Sequence, residues 1–329
     1  MIAPIHIVTP NPALDVTYRV DNLQLGEANR VSDIVRISGG KGLNAANVLA
    51  DLGIAASVGG FIGGALAQEF LAGIDHLDAR FTLIEGSLRT TTTVVDDSGA
   101  TAFNEAGPSV DESDWQALTS DTLATLREIS AAAGTRAVFS LNGSIPPGSP
   151  VAAYTSLISR AREDGHLVIA DTSGSFLVAA AQAGAHVLKP NHLELAAATG
   201  TEDLSRGVAA LQESGAGVVI VSRGAEGLEV HAPGRRPVHA WLEADVRGNT
   251  VGAGDAVVAA AIAAMAPRVA ALPGAAPLTS CDVAETLLTD ADVPHLVAAG
   301  AAAVAEPVAG RINPETLAAF LPRVITKEL

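Results

Sequence analysis

The alternation of short apolar runs with longer helical stretches leaves this chain few architectures. Residues 5–8 (IHIV), 137–141 (AVFSL), 167–171 (LVIAD), 186–188 (HVL) and 218–222 (VVIVS) are apolar but for one residue each and do not alternate. That is how strands covered on both faces read. Between and after them, apolar spacing predicts helices over 42–52, 64–73, 113–129, 150–163, 192–199, 206–214, 255–266 and 294–305. Strands separated by helices pair in parallel, and the helices then cover both faces of the sheet, an α/β fold with three layers. Two stretches break the rhythm. Residues 14–20 (LDVTYRV), with 31–37 following, and 90–103 (TTTTVVDDSGATAF) carry Thr/Val alternation and a turn signal. They predict hairpins of a small antiparallel sheet, too few strands for a core of their own and so a lid over one end of the main sheet. The Pro/Gly-rich stretch 266–280 reads as a surface loop.

Composition narrows the function. At 329 residues the chain makes one large or two modest domains, and with aromatics at only 3% its core must be built from Ala, Val, Leu and Ile. A net charge of -16 argues against nucleic acid, which needs clustered Lys and Arg. An acidic chain that handles a phosphorylated substrate needs a local positive island. Cys281 is the single cysteine, so no intrachain disulfide can form and a reducing compartment is expected. The N-terminal MIAPIHIVTPNP has no basic region leading into an apolar one, so no signal peptide is expected. The Ala-rich 256–276 stretch is cut by Pro267, Arg268 and Pro273, so no membrane span is expected either, and the cytoplasm is the expected location. The eight histidines lack metal-ligand spacing, which leaves no zinc site.

Three turns could carry chemistry. In SGGKGLNAANVLADLG (38–53), Gly39 and Gly40 allow close backbone approach, Lys41 adds charge, and a helix begins near Gly42 with Asn44 in its first turn. Ligands meet unpaired N–H groups there. A plain loop with a solvated lysine and a capping asparagine fits the same residues. In LKPNHLELAAATG (188–200), Asn191 and Glu194 share a first helical turn. Their oxygens could face one Mg²⁺ or its waters, or simply form a capping box. In GNTVGAGDAVVAAAIAA (248–264), Gly252, Ala253 and Gly254 leave N–H groups aimed outward at the positive end of a helix dipole, a place for an anion. Asp255 in that turn is placed to take a proton from a hydroxyl attacking a phosphorus. By contrast SVGGFIGGALA (57–67) has the spacing G-G-x-x-G-G, not the dinucleotide G-x-G-x-x-G, and reads as a tightly packed strand-to-helix turn. NGSIPPG (142–148) reads as a turn at the carboxyl end of a strand, close to substrate.

In this order the motifs resemble the PfkB (ribokinase-like) carbohydrate kinase family over residues 5–321. GGKGLNAANVLADLG is similar to its N-terminal signature and NTVGAGDAVVAAAIAA to its C-terminal one, with LKPNHLEL and VVIVSRGAEGLEV between them. VTPNPALDVTYRV, GEANRV, LRTTTTV and AFNEAGP look most like the 1-phosphofructokinase and tagatose-6-phosphate kinase branch. The resemblance implies one ribokinase-like kinase domain over 1–329, with lid insertions at about 12–38 and 86–106 and a lid often used for dimerisation. It also implies ATP-dependent phosphorylation of a sugar or sugar phosphate with Mg²⁺; fructose 1-phosphate is the first expectation, tagatose 6-phosphate or fructose 6-phosphate the alternatives. A sugar-phosphate sensor of the same fold is the non-enzyme alternative.

By resemblance, Asp15, at the end of the first strand, binds sugar hydroxyls, and Gly39, Gly40, Lys41 and Asn44 form the sugar-binding loop. Arg89 holds the substrate's existing phosphate with Arg30 as helper, and Asn142 stands at the sugar. Lys41, Arg89 and Arg30 would form the positive island. Lys189, Asn191 and Glu194 correspond to the ATP/Mg²⁺ region, and Ser222, Gly224, Gly227 and Thr250 line the nucleotide. Gly252, Ala253 and Gly254 correspond to the anion hole and Asp255 to the base. Three departures bear on the substrate. RTTTTV stands where many relatives read R-x-N-V-K, Asn142 stands where a serine is usual, and Asn249 replaces an acidic residue or serine before Thr250.

Overall fold

The computed structural model describes residues 1–272, 276–279 and 282–329. Cys281 and Pro273 therefore lie outside the described residues. Fourteen strands and ten α-helices are described: β1 (Ile5–Val8), β2 (Ala13–Arg19), β3 (Asp33–Gly39), α1 (Lys41–Asp51), β4 (Ser57–Ile62), α2 (Ala67–Ala72), β5 (Asp78–Leu83), β6 (Arg89–Asp96), β7 (Gly99–Asn104), α3 (Glu112–Ala133), β8 (Val138–Asn142), α4 (Val151–Glu163), β9 (Leu167–Asp171), α5 (Ser175–Gln182), β10 (Val187–Leu188), α6 (His192–Thr199), α7 (Leu204–Glu213), β11 (Val218–Ser222), β12 (Leu228–His231), β13 (Val238–Leu242), α8 (Ala253–Ala271), α9 (Val293–Ala305), α10 (Pro314–Phe320) and β14 (Val324–Glu328).

The main sheet runs β14-β13-β12-β11-β10-β9-β8-β1-β4-β5. Its seven strands from β11 to β5 pair in parallel, as the continuous apolar runs predict, and β12, β13 and β14 close one side as antiparallel strands. Each face is buried under helices. One carries Ile7, Val138, Ile169 and Val218 against Leu43 and Leu49 of α1, Val257 and Ile262 of α8 and Leu296 of α9. The other carries Phe139, Leu141 and Val168 against Trp115 and Leu118 of α3 and Tyr154 and Leu157 of α4. The low aromatic content is answered by Ala-rich helices that approach closely: a Cβ on Gly300 of α9 would stand 3.2 Å from Val257 Cγ2 of α8. That closeness holds the start of α8 in place.

The second sheet, β3-β2-β6-β7, is the predicted lid, with a difference. β2 with β3 and β6 with β7 are antiparallel, but the central pair, β2 with β6, is parallel. Local alternation sees each pair and not the joint between them. Two further expectations are corrected. α8 does not stop at 266 but continues through Pro267 to Ala271, where Arg268 is held by Asp292 (2.6 and 2.9 Å) and Leu287 O. This 19-residue helix is long and apolar enough to cross a membrane, yet most of it is buried among α1, α9 and the sheet. In the SVGGFIGGALA stretch, Gly59 and Gly60 belong to β4 itself, and only Gly63 and Gly64 form the turn towards α2.

Candidate active site

The carboxyl ends of β1, β8, β9 and β10 and the first turns of α1, α6 and α8 converge, the place where parallel sheets bind ligands. Gly252 caps α8 at φ 88°, a backbone state that favours glycine, and Ala253, Gly254 and Asp255 form its first turn. The N–H groups of that turn lack helical acceptors. A Cβ on Gly254 would stand 3.1 Å from Lys189 Nζ, so an ammonium sits directly over the turn. Positive backbone dipoles and a lysine facing one gap are the chemistry that could hold an anion.

Asp255 is buried, and its Oδ2 accepts a hydrogen bond from Asn44 Nδ2 at 2.7 Å. Burial, with Asp171 adding to it, pushes its carboxyl up to about 6, against the Asn44 bond and the ammonium groups of Lys41 and Lys189. A carboxylate held there is ionised at neutral pH yet basic enough to accept a proton.

Asp171, the last residue of β9, is the site residue that sequence reasoning missed. It is 1% exposed, and its Oδ1 meets Lys41 Nζ at 3.2 Å and Lys189 Nζ at 3.5 Å. Lys41 also reaches Glu194 Oε1 at 3.5 Å. Burial works against the Lys41 charge, but Asp171, Glu194 and Asp255 outweigh it and hold the ammonium above its usual range. The one available signal was a lone acid closing the apolar run LVIAD. Lys41 and Lys189 thus meet around Asp171, with Glu194 and Asp255 adding two further carboxylates.

Arg30 does not join these lysines. This residue is exposed in the loop before β3 and makes no hydrogen bond or ion pair among the described residues. Arg89, at the start of β6, donates from Nε to Asn11 O and from Nη1 to Glu105 O, both at 3.2 Å, and burial lowers its pKa. Asp15 lies inside β2 of the lid, not at the end of the first core strand, and burial raises its carboxyl to about 6 against a Thr91 hydrogen bond and Arg89. A Cβ on Gly39 would overlap Asp15 Oδ2, so the bare backbone at Gly39 is what admits that carboxylate. Gly40 caps α1. Asn142 ends β8 beside Asp171; Ser140 Oγ donates to its Oδ1 at 2.9 Å, and its buried Nδ2 has no hydrogen-bond partner among the described residues.

Asn191 and Glu194 do form a capping box: Asn191 Oδ1 accepts from Glu194 N (2.8 Å) and Glu194 Oε2 from Asn191 N (2.9 Å). Only Oε2 is spent on the cap, so Oε1 turns to Lys41. Mg²⁺ keeps several waters and is commonly held by one or two carboxylates with substrate phosphates. Of the expected pair Asn191 and Glu194, Asn191 Oδ1 is taken by the cap, which leaves Glu194 Oε1, and Asp171 is the other carboxylate that meets Lys41; among the described residues no trio of acidic, His or Cys side chains makes a closed metal cage. Ser222 pairs with Asn191 across the strand ends, and Gly224 opens a short 3₁₀ turn. A Cβ on Gly227 would overlap Ala240 O of β13, which gives this glycine a packing reason. Thr250 is exposed ahead of the α8 turn.

The family model for "pfkB family carbohydrate kinase" matches residues 11–285. The chain belongs to the pfkB family of carbohydrate kinases. It is 33% identical over 264 residues to 1-phosphofructokinase of Escherichia coli (strain K12), covering 76% of this chain and 80% of the relative. In fold it is similar to phosphofructokinase-2 from Escherichia coli in complex with potassium (TM-score 0.82, 24% identity, 98% of this chain and 99% of that one). It is similar also to Arabidopsis thaliana ribokinase complexed with ribose and ATP (TM-score 0.68, 18% identity, 98% and 99%). The chain is therefore a kinase of the ribokinase-like fold.

Proposed function

We propose that this carbohydrate kinase transfers the γ-phosphoryl group of ATP to a ketose phosphate, converting fructose 1-phosphate to fructose 1,6-bisphosphate. The observation that carries the reading is Asp255, a buried carboxylate raised towards neutrality in the same turn as the N–H groups under Lys189. The relative named 1-phosphofructokinase supports the choice of acceptor. As the sugar hydroxyl attacks, its proton passes to Asp255, the new O–P bond forms, and the bond from phosphorus to the ADP oxygen breaks. Asn44 holds Asp255 Oδ2, leaving Oδ1 for the proton. The Gly252–Gly254 turn and Lys189 receive the developing negative charge, the term that usually dominates phosphoryl transfer. Glu194 and Asp171 would hold Mg²⁺, which when bound shields the phosphates' charge. Lys189, Asn191, Ser222, Gly224, Gly227 and Thr250 line the nucleotide side.

On the sugar side stand Asp15, Gly39, Gly40, Lys41 and Asn142, with Arg89 on the existing phosphate. The chain works as one kinase domain whose lid closes over the sugar and expels water, so that ATP is not hydrolysed. The exposed lid residues Ile34, Val35 and Ile37 are where two copies would pair.

The test is ADP release with fructose 1-phosphate, fructose 6-phosphate, tagatose 6-phosphate and unphosphorylated sugars. Fructose 1-phosphate is expected to give the highest kcat/KM, and turnover of unphosphorylated sugars alone would refute the role of Arg89. Asp255→Asn is expected to bind the sugar phosphate but not turn it over; retained turnover refutes Asp255 as base, and a wild type that binds without turnover would be the sensor.

A further inference from the structure

One contact outside the reacting groups bears directly on how they are held. The loop between α9 and α10, residues 306–313, reaches into the site through Gly310, which is buried at φ 72°. A Cβ there would stand 2.6 Å from Asn44 Oδ1 and 2.8 Å from Asn44 Cα. A Cβ on Gly252 would in turn stand 2.8 Å from Gly310 N and 3.3 Å from Ala309 Cβ. Residues 309–310 are therefore wedged between the asparagine that holds Asp255 and the residue that caps the α8 turn.

Core packing reaches this loop only at Ile312, which is 4% exposed within the main hydrophobic cluster. Pro307 and Val308 are exposed, and a cavity of about 400 Å³ lies against it, lined by Glu306, Val308, Ile312 and Pro314 among others. Beside that apolar anchor, the residue after Gly310 ties the loop to α1. Arg311 donates from Nε and Nη2 to the two oxygens of Asp51 at 2.9 and 2.8 Å, and Ile312 N donates to Asp51 Oδ2 at 3.0 Å. Asp51 is the last residue of α1, and Asn44 lies in the first turn of that helix. One rigid helix thus carries both the anchor for the loop and the side chain the loop presses on.

We infer that Arg311 and Asp51 are positioning residues for phosphoryl transfer: their fork-shaped ion pair fixes residues 309–310 against Asn44 and Gly252, and so fixes Asp255 relative to the anion turn. The inference rests on the proposed role of Asp255. A half-exposed ion pair contributes little to global stability, typically under about 1 kcal/mol. Its geometry matters more, since a displacement near 1 Å at reacting groups can cost on the order of a hundredfold in rate.

The experiment compares wild type with Arg311→Ala, Arg311→Lys and Asp51→Asn in kcat, in KM for fructose 1-phosphate and in hydrogen exchange of segments 306–312 and 41–44, with Asp255→Asn alongside. Arg311→Ala is expected to lower kcat about tenfold, to change KM less than twofold, to speed exchange in both segments and to leave the melting temperature within a few degrees of wild type. Arg311→Lys keeps the charge but not the fork and is expected to fall between. Asn44 lowers the pKa of Asp255, which Asp171 faces from β9, Lys41 from α1 and Lys189 from the end of β10. A loosened Asn44 is therefore expected to move the acid limb of kcat/KM upward. Unchanged kcat and exchange in Arg311→Ala overturn the inference, as does a melting temperature that falls in step with kcat. Failure of the base reading shows separately, as turnover retained by Asp255→Asn, and exchange then still decides the clamp.

Discussion

Gly254→Ala should separate stability from catalysis more cleanly than any change to a charged group. Gly254 occupies the first turn of α8 without a positive φ, so alanine fits the backbone there. Replacing glycine at such a position removes conformational freedom from the unfolded chain and typically stabilises by about 0.4–1 kcal/mol. The new methyl would stand 3.1 Å from Lys189 Nζ and 3.7 Å from Lys189 Cε, closer to Nζ than a Cβ ordinarily comes. Lys189 is buried and shares Asp171 Oδ1 with Lys41, so it has little room to retreat and would move by a few tenths of an ångström. That shift offsets part of the gain, and the net change in stability should lie within about 1 kcal/mol of zero. Catalysis has no such compensation. The methyl occupies the gap between the turn's N–H groups and the ammonium, where the transferred phosphoryl group is proposed to sit. Loss of one such donor typically costs about 10²–10³ in kcat, or roughly 3–4 kcal/mol of barrier. The assay is thermal unfolding of wild type and variant beside steady-state kinetics at saturating ATP. A melting temperature within a few degrees of wild type, with kcat reduced at least a hundredfold, is expected. Unchanged kcat would remove the 252–254 turn from the reaction, and a collapse in stability matching the loss of activity would make Gly254 a packing residue only.

Three further outcomes follow, two from Asp255 and one from Arg89. Because Asp255 must be ionised to accept a proton, kcat/KM for fructose 1-phosphate should fall below about pH 6, and a flat profile down to pH 5 would exclude it as base. The same raised pKa acts oppositely on folding. Between about pH 4 and 6 the folded chain holds a proton that the unfolded chain has released, so this group's contribution falls as pH rises through that window. Relief of a penalty of up to about 3 kcal/mol should then make Asp255→Asn at least as stable as wild type at pH 7.5, measured by denaturant unfolding. Arg89, oriented by two backbone carbonyls, keeps Nη2 for an incoming anion. Arg89→Gln should raise KM for fructose 1-phosphate about 10–100-fold, the worth of a charge-assisted hydrogen bond, and equal KM values in wild type and variant would place the phosphate elsewhere.

How much of this was legible in the sequence divides along the distance over which a residue gets its meaning. The strands IHIV, LVIAD and VVIVS are set by their own apolar continuity, and the α6 cap by two residues three apart, so both could be read locally. The glycines of the 252–254 turn were legible for the same reason, since their task is set by the helix that follows. Asp171 was not. An aspartate closing a buried strand is ordinary until Lys41, 130 positions away, and Lys189 arrive at the same carboxylate. The Asn44–Asp255 bond spans 211 positions, and nothing near either residue announces it. Arg30 differs in the opposite direction: resemblance placed it beside Arg89 as a helper, and its loop leaves the guanidinium in solvent. Glu194 shows why a choice between cap and ligand misleads at the level of sequence. A carboxylate has two oxygens, and the fold gives Oε2 to the helix and Oε1 to Lys41, so the cap fixes the orientation that the proposed chemical use would require.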